Sequence, residues 1–179
     1  MGSTTLISLD EYLNTSYEPD RDFVDGVLVR RHGGTKLHGR LQLIVGSYLR
    51  QNEKSHQIQA FVETRLRVDP ARGGHRVPDV LAVELPSKKG RVVTDVPAIV
   101  VEIKSPEDTF DDIVNRCLDY EKLGVANILV MDPDNKRAWL FKDRILQLLS
   151  GTSIALNRPR QNLTLDFPFA QMFAELDEE

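Results

Sequence analysis

The stretch Arg76-Val77-Pro78-Asp79-Val80-Leu81-Ala82-Val83-Glu84, followed after a loop by Ala98-Ile99-Val100-Val101-Glu102-Ile103-Lys104, decides how this chain folds. Both segments are rich in β-branched and aliphatic residues and predict strands over 77–84 and 98–104. Side chains two apart in a strand share a face. Glu102 and Lys104 therefore share one face, and Ile99, Val101 and Ile103 share the other. A strand that is otherwise apolar is expected to be central, with a carboxylate and an ammonium at its C-terminal end. If the strand carrying Pro78-Asp79 lies beside it, at a backbone spacing of about 4.8 Å, Asp79 and Glu102 can converge.

Two carboxylates at that spacing repel by a few kcal/mol at an effective dielectric of about 20, so a cation must offset them. Lys104 is one candidate. A divalent metal is the other, and hard oxygen ligands with open positions suit Mg²⁺ or Mn²⁺. Such an ion acidifies a bound water and stabilises charge on a reacting phosphodiester. Lys104 then either orients the attacking water or neutralises the phosphate. The tripeptide by itself carries no weight. Acid-x-Lys occurs twice, at Glu102/Lys104 and Asp134/Lys136, about what composition alone supplies. The alternative is a Glu–Lys pair at a sheet edge.

Outward from these strands, Ser8-Leu9-Asp10-Glu11 reads as a capping box opening a short helix that ends near Asn14. Phe23 to Arg30, with Asp25-Gly26 inside, predicts a strand pair around a tight turn, and Gly33-Gly34 breaks the chain. Leu37, Leu41, Ile44, Val45, Tyr48 and Leu49 have helical spacing and predict a helix over 36–53. Residues 58–68 alternate as one strand, with Ile58, Ala60, Val62, Leu66 and Val68 on one face and Glu63, Arg65 and Arg67 on the other. Thr109 caps a helix over 110–123, with Gly124 at its C-terminal end. A strand over 127–131, a hairpin over 137–141 and 145–148, and a polar tail ending in the apolar patch 167–173 complete the chain. The expected class is α/β, a central mixed β-sheet flanked by helices with additional hairpins, folded as a single domain over 1–179.

The chain has 179 residues, 41% apolar and 28% charged, which suits a soluble globular protein. No apolar run reaches the roughly 18 residues of a membrane span, and Met1-Gly2-Ser3-Thr4-Thr5 has no secretory character. One cysteine, Cys117, excludes an intramolecular disulfide and a multi-cysteine zinc site, and reads as a small core residue of a cytoplasmic protein. His32, His56 and His75 lack zinc-ligand spacing, and no phosphate-binding glycine motif is present. The net charge of −4 divides into −4 over 1–20, +6 over 21–76 and −6 over 77–179. The basic middle is either a face for a polyanion or a set of solvated arginines.

Several words of the sequence occur together and in order: Tyr17-Glu18-Pro19-Asp20-Arg21-Asp22-Phe23-Val24-Asp25-Gly26, His38, Arg76-Val77-Pro78-Asp79-Val80, Val101-Glu102-Ile103-Lys104-Ser105-Pro106, and Tyr120-Glu121-Lys122-Leu123-Gly124-Val125 with Met131-Asp132-Pro133. In these the chain resembles the Uma-type restriction endonuclease family, a domain of unknown function within the PD-(D/E)XK nuclease superfamily. The resemblance implies a restriction-endonuclease-like fold and a metal-dependent phosphodiesterase site. Asp79 and Glu102 match the metal-binding acids and Lys104 the catalytic lysine. Many relatives replace that lysine, and in several a lysine four residues before the helix tyrosine stands in; here that position is Arg116. Asp22 falls where relatives often carry Glu, as an extra acid near the metal or as a brace for the hairpin.

Glu63 either approaches the same site or pairs with Arg65 or Arg67. His38 matches a family position and either binds phosphate and supports the site or plays a capping role. The expectation is a Mg²⁺- or Mn²⁺-dependent endonuclease acting on DNA, plausibly as a homodimer. Asp79, Glu102 and the Ile103 carbonyl hold the metal, and Lys104 positions the water. Arg21, Arg30, Arg31, Lys36, Arg40, Arg65 and Arg67 meet backbone phosphates. The rivals are a catalytically silent nucleic-acid- or protein-binding module on the same fold and a nuclease acting on RNA.

Overall fold

The computed structural model describes residues 6–31, 34–158 and 163–177. His32 and Gly33 therefore lie outside the described residues. In chain order the elements are α1 (Leu9–Asn14), β1 (Asp22–Val24), β2 (Val27–Val29), α2 (Lys36–His56), β3 (Ile58–Val62), β4 (Leu66–Asp69), β5 (Gly74–Arg76), β6 (Val80–Glu84), β7 (Ile99–Ile103), α3 (Phe110–Leu123), β8 (Asn127–Asp132), β9 (Arg137–Lys142), β10 (Ile145–Leu148), β11 (Ile154–Arg158), β12 (Leu163–Phe167) and α4 (Phe169–Ala174).

The main sheet has six strands in the order β10-β9-β8-β7-β6-β3. Only β7 and β8 are parallel, and α3 makes the crossover that parallel neighbours require. Every residue of β6, β7 and β8 is buried, which is why these strands read as near-continuous apolar runs. Alternation sorts their side chains between two layers. Val80, Ala82, Ile99, Val101, Ile103, Leu129 and Met131 pack with Leu41, Val45 and Leu49 of α2 and with residues of β11, β12 and α4. Leu81, Val83, Val100, Ile128 and Val130 pack with Ile113, Cys117 and Tyr120 of α3. A second, four-stranded sheet runs β2-β1-β5-β4, and β11 and β12 form a separate pair.

Local signals set most boundaries. The Ser8 side chain accepts a hydrogen bond from the Glu11 amide at the start of α1. Thr109 and Asp112 form a reciprocal capping box on α3, and Gly124 ends that helix at φ 95° with its amide bonded back to carbonyls of the last turn. Two expectations need correction. The predicted strand over 58–68 is two strands in two sheets, because Glu63 adopts φ 43° and turns the chain out of the main sheet. The predicted strand over 77–84 begins three residues later: β5 of the small sheet ends at Arg76 and β6 of the large one starts at Val80, with Val77-Pro78-Asp79 passing between them. Pro78 has no N–H to give to a ladder, so the break falls there. That break puts Asp79 at the seam of the two sheets.

His75 on β5 is buried beside the Tyr12 ring, with centroids 5.6 Å apart, and its Nδ1 lies 2.7 Å from the Gly73 carbonyl. Nδ1 therefore carries the proton and donates it, while Nε2 is buried without a partner among the described residues. Burial pulls the pKa below its ordinary value of 6.5, against the support of the Gly73 bond. The unfolded chain then binds the extra proton first, so His75 costs stability progressively as pH falls below 6.5. Thermal unfolding at about pH 7 and about pH 5 is expected to show a smaller acid-side loss in His75→Phe than in the parent.

Candidate functional site

The β6–β7 register pairs Val80 with Val101, so one residue further out Asp79 faces Glu102. The two strands thus bring both acids to one end of the main sheet, and each is 1% exposed. Asp79 Oδ2 accepts the Ile103 amide at 2.6 Å, which ties the acid to the end of β7. Its Oδ1 accepts Arg31 Nη2 at 2.6 Å, and His38 Nε2 stands 3.5 Å away. The Asp79 carbonyl accepts from the Gln42 side chain and the Glu63 amide. Glu102 points to the α3 side of the sheet. Tyr120 donates its hydroxyl to Oε1 at 2.6 Å, and Arg116 Nε lies 2.8 Å from Oε2. Arg116 and Tyr120 are four apart on α3 and so share a face. Arg116 also reaches Asp108.

The two carboxyl groups titrate in opposite directions. Burial raises both, but for Asp79 the contacts from His38, Arg31 and the Ile103 amide prevail and its pKa is lowered. Glu102 ends up raised, because burial and the Asp79 charge outweigh Arg116. Asp79 is the fixed anion of the pair and Glu102 the member that takes a proton more readily. His38 is pulled down by burial, yet its bond to Asp79 leaves it above 6.5. For Arg31 burial disfavours the charge, and the attraction of Asp79 and then Glu102 raises the pKa despite it. Arg31 therefore answers to both acids.

The other expected residues lie nearby in different roles. Lys104 follows directly on β7, and its one ion-pair partner within 4 Å among the described residues is Asp132 Oδ2, at 3.8 Å. Asp132 is buried and also accepts the amides of Asp134 and Asn135. Asp22 accepts Arg76 Nη1 and the Val77 amide, both at 2.9 Å, while Arg76 also holds Asp119. Asp22 thus braces the β1–β5 seam. Glu63 is exposed, and its amide rather than its carboxylate meets Asp79.

Not all of the basic segment faces outward. Arg65 spans both oxygens of Asp20, donates to the Tyr12 and Thr15 carbonyls, and stacks 4.3 Å over the Tyr12 ring. Arg30, Arg31, Arg76 and Arg116 line a cavity of about 440 Å³ together with Asp22, Asp108 and Asn115. The partnership of Arg31 with Asp79 links residues 48 apart in sequence, and no local pattern announces it. Arg116 is singled out by the resemblance alone, as the position where relatives carry a lysine four residues before the helix tyrosine.

Two carboxylates and a strand carbonyl are hard oxygen donors that fit Mg²⁺ or Mn²⁺. Among the described residues, no three or more His, Cys, Asp or Glu side chains cluster as a metal site. An ion would thus rest on Asp79 and Glu102, with main-chain and water oxygens completing its shell. In the structure, guanidinium groups meet both acids instead.

A mixed sheet flanked by helices, with paired acids where β6 and β7 meet, defines a restriction-endonuclease-like α/β fold. The chain belongs to the Uma2 family, described as "Putative restriction endonuclease", whose model matches residues 9–169. It is similar to the crystal structure of a protein described as "a putative nuclease belonging to DUF820" from Anabaena variabilis ATCC 29413, with a TM-score of 0.74 and 20% identity over 95% of this chain and 99% of that one. A weaker likeness, TM-score 0.39 at 15% identity, is to a chain of the DrdV–DNA complex; it covers 80% of this chain and 13% of that one. No curated protein matches the sequence. No helix among the described residues is long and apolar enough to cross a membrane.

Proposed function

We propose that this protein is a divalent-metal-dependent endonuclease that hydrolyses DNA phosphodiester bonds at Asp79, Glu102 and Lys104. The observation that carries the reading is the opposition of two buried acids at the end of adjacent strands, beside an array of arginines. Asp79, Glu102 and the Ile103 carbonyl would hold Mg²⁺ or Mn²⁺, which when bound supplies positive charge to the phosphate and a more acidic water. Asp79 is suited to this because it stays ionised, and the Ile103 amide fixes its orientation. Tyr120 fixes Glu102 in the same way.

Lys104 follows directly on β7 with its amine 3.8 Å from Asp132, and it would turn to orient the attacking water or the phosphate. Arg31 and Arg116 face the cavity, where they would meet non-bridging phosphate oxygens. One site cuts one strand. A break in both strands therefore calls for two copies, and we read the form active on duplex DNA as a homodimer, working in the cytoplasm.

Nicking of supercoiled plasmid tests this reading. Activity is expected with Mg²⁺ or Mn²⁺ and not with excess chelator. Lys104→Ala is expected to slow nicking by about 10²-fold, the usual yield of a positioned proton-transfer group. Unchanged nicking in Lys104→Ala would remove that residue from the chemistry. A second reading, a catalytically silent binding module, draws on the fact that each oxygen of Asp79 and Glu102 already has a protein partner. It predicts DNA retention that weakens with salt, with no cleavage under any metal.

A further inference from the structure

Arg31 lies on the connection between β2 and α2, and the pairing with Asp79 leaves its side chain 16% exposed and that of Asp79 2% exposed. Among the described residues Asp79 is its one hydrogen-bonded acceptor, reached through a single nitrogen, Nη2. A guanidinium has five N–H donors in a rigid fork and pairs with phosphate through two of them at once. One edge of the Arg31 fork is thus engaged with the acid pair, and the side chain also lines the cavity shared with Arg30, Arg76 and Arg116.

The arginines already offset most of the local negative charge. Asp79, Glu102 and Asp108 carry three negative charges at most, and Arg31 and Arg116 bring two positive ones. A doubly charged cation entering this arrangement meets two half-buried guanidiniums and leaves a surplus of positive charge. A phosphodiester changes that balance. It brings a negative charge and a pair of oxygens that match the Arg31 fork.

We propose that Arg31 holds the cation position at Asp79 in the free protein and leaves it for a phosphodiester, so that metal and nucleic acid bind cooperatively. The inference rests on the metal-centre reading above and adds a positioning residue to it. The coupling is reciprocal: DNA tightens metal binding by the same factor as metal tightens DNA binding. His38 and the Ile103 amide keep Asp79 in place when Arg31 moves.

The test is Mn²⁺ binding, followed by the electron paramagnetic resonance signal of the free ion. It is run in the Lys104→Met background, so that a short synthetic duplex can be added while turnover is slow. We expect weak Mn²⁺ binding without DNA, tightened on the order of tenfold by the duplex. Arg31→Met is expected to bind Mn²⁺ about tenfold more tightly without DNA, and to lose the enhancement by duplex. Arg31→Lys keeps the charge and is expected to bind the ion as weakly as the parent, which separates charge from any general loosening of the fold. Equal Mn²⁺ affinity in the parent and Arg31→Met, each answering equally to DNA, would overturn the proposal and leave the metal centre standing. No Mn²⁺ binding by any form, with or without duplex, would overturn both.

Discussion

Glu102→Gln is expected to lower DNA cleavage by at least about 10²-fold while the protein remains folded. The substitution keeps the shape of the side chain and removes the charge that a cation needs. Its structural cost is small for reasons visible in the site. Burial and the neighbouring Asp79 charge already disfavour the ionised form of Glu102, so a neutral group suits the position. The amide oxygen can still accept Arg116, and the Tyr120 hydroxyl can turn to accept rather than donate. Arg116 also keeps Asp108. We expect a loss of about 1–3 kcal/mol in stability, read by urea unfolding, because hydrogen bonds to a charged acceptor become neutral ones. Cleavage at the parental rate by a folded Glu102→Gln protein would remove Glu102 from the reaction.

The largest stability effect is expected at Asp22, not at the candidate site. Asp22→Ala leaves Arg76, 7% exposed, with Asp119 alone, and strips the Val77 amide of its acceptor. Removing one partner of a buried ion pair costs about 3–5 kcal/mol, because the remaining charge stays buried. Asp22→Asn keeps an acceptor for Val77 and is expected to lose less. If Asp22 were instead a metal ligand with little structural role, Asp22→Ala would unfold close to the parent's urea midpoint, and its defect would appear only in metal binding.

What the sequence makes legible follows from the range of the interactions involved. The starts of α1 and α3 could be read closely because Ser8 with Glu11, and Thr109 with Asp112, act within one turn. The faces of β7 were legible because alternation is strict, so Glu102 lands opposite Ile99, Val101 and Ile103 as expected. The same alternation misled at 58–68. Its period runs unbroken through Glu63, and one left-handed residue moves the chain to another sheet without disturbing the pattern. The β11–β12 pair went unseen, because its polar residues hide two buried ones, Leu156 and Leu165, that with Phe167 complete the α2-side core.

At the site, Asp79 and Glu102 were visible as a pair of acids at strand ends, and Arg116 only through the resemblance, at the position where relatives carry a lysine. Arg31 was read only as one more cation for phosphates. Its role against Asp79 depends on a contact across 48 residues and on the seam between two sheets. Such a partnership belongs to the tertiary fold, not to any stretch of chain.

The most direct measurement is anomalous diffraction from crystals of the Lys104→Met protein grown with a short duplex and Mn²⁺. The account predicts a single manganese peak between the Asp79 and Glu102 carboxylates, with the Arg31 guanidinium moved onto a phosphate. Carboxylates still held by Arg31 and Arg116, with manganese absent or bound elsewhere beside an ordered duplex, would contradict it.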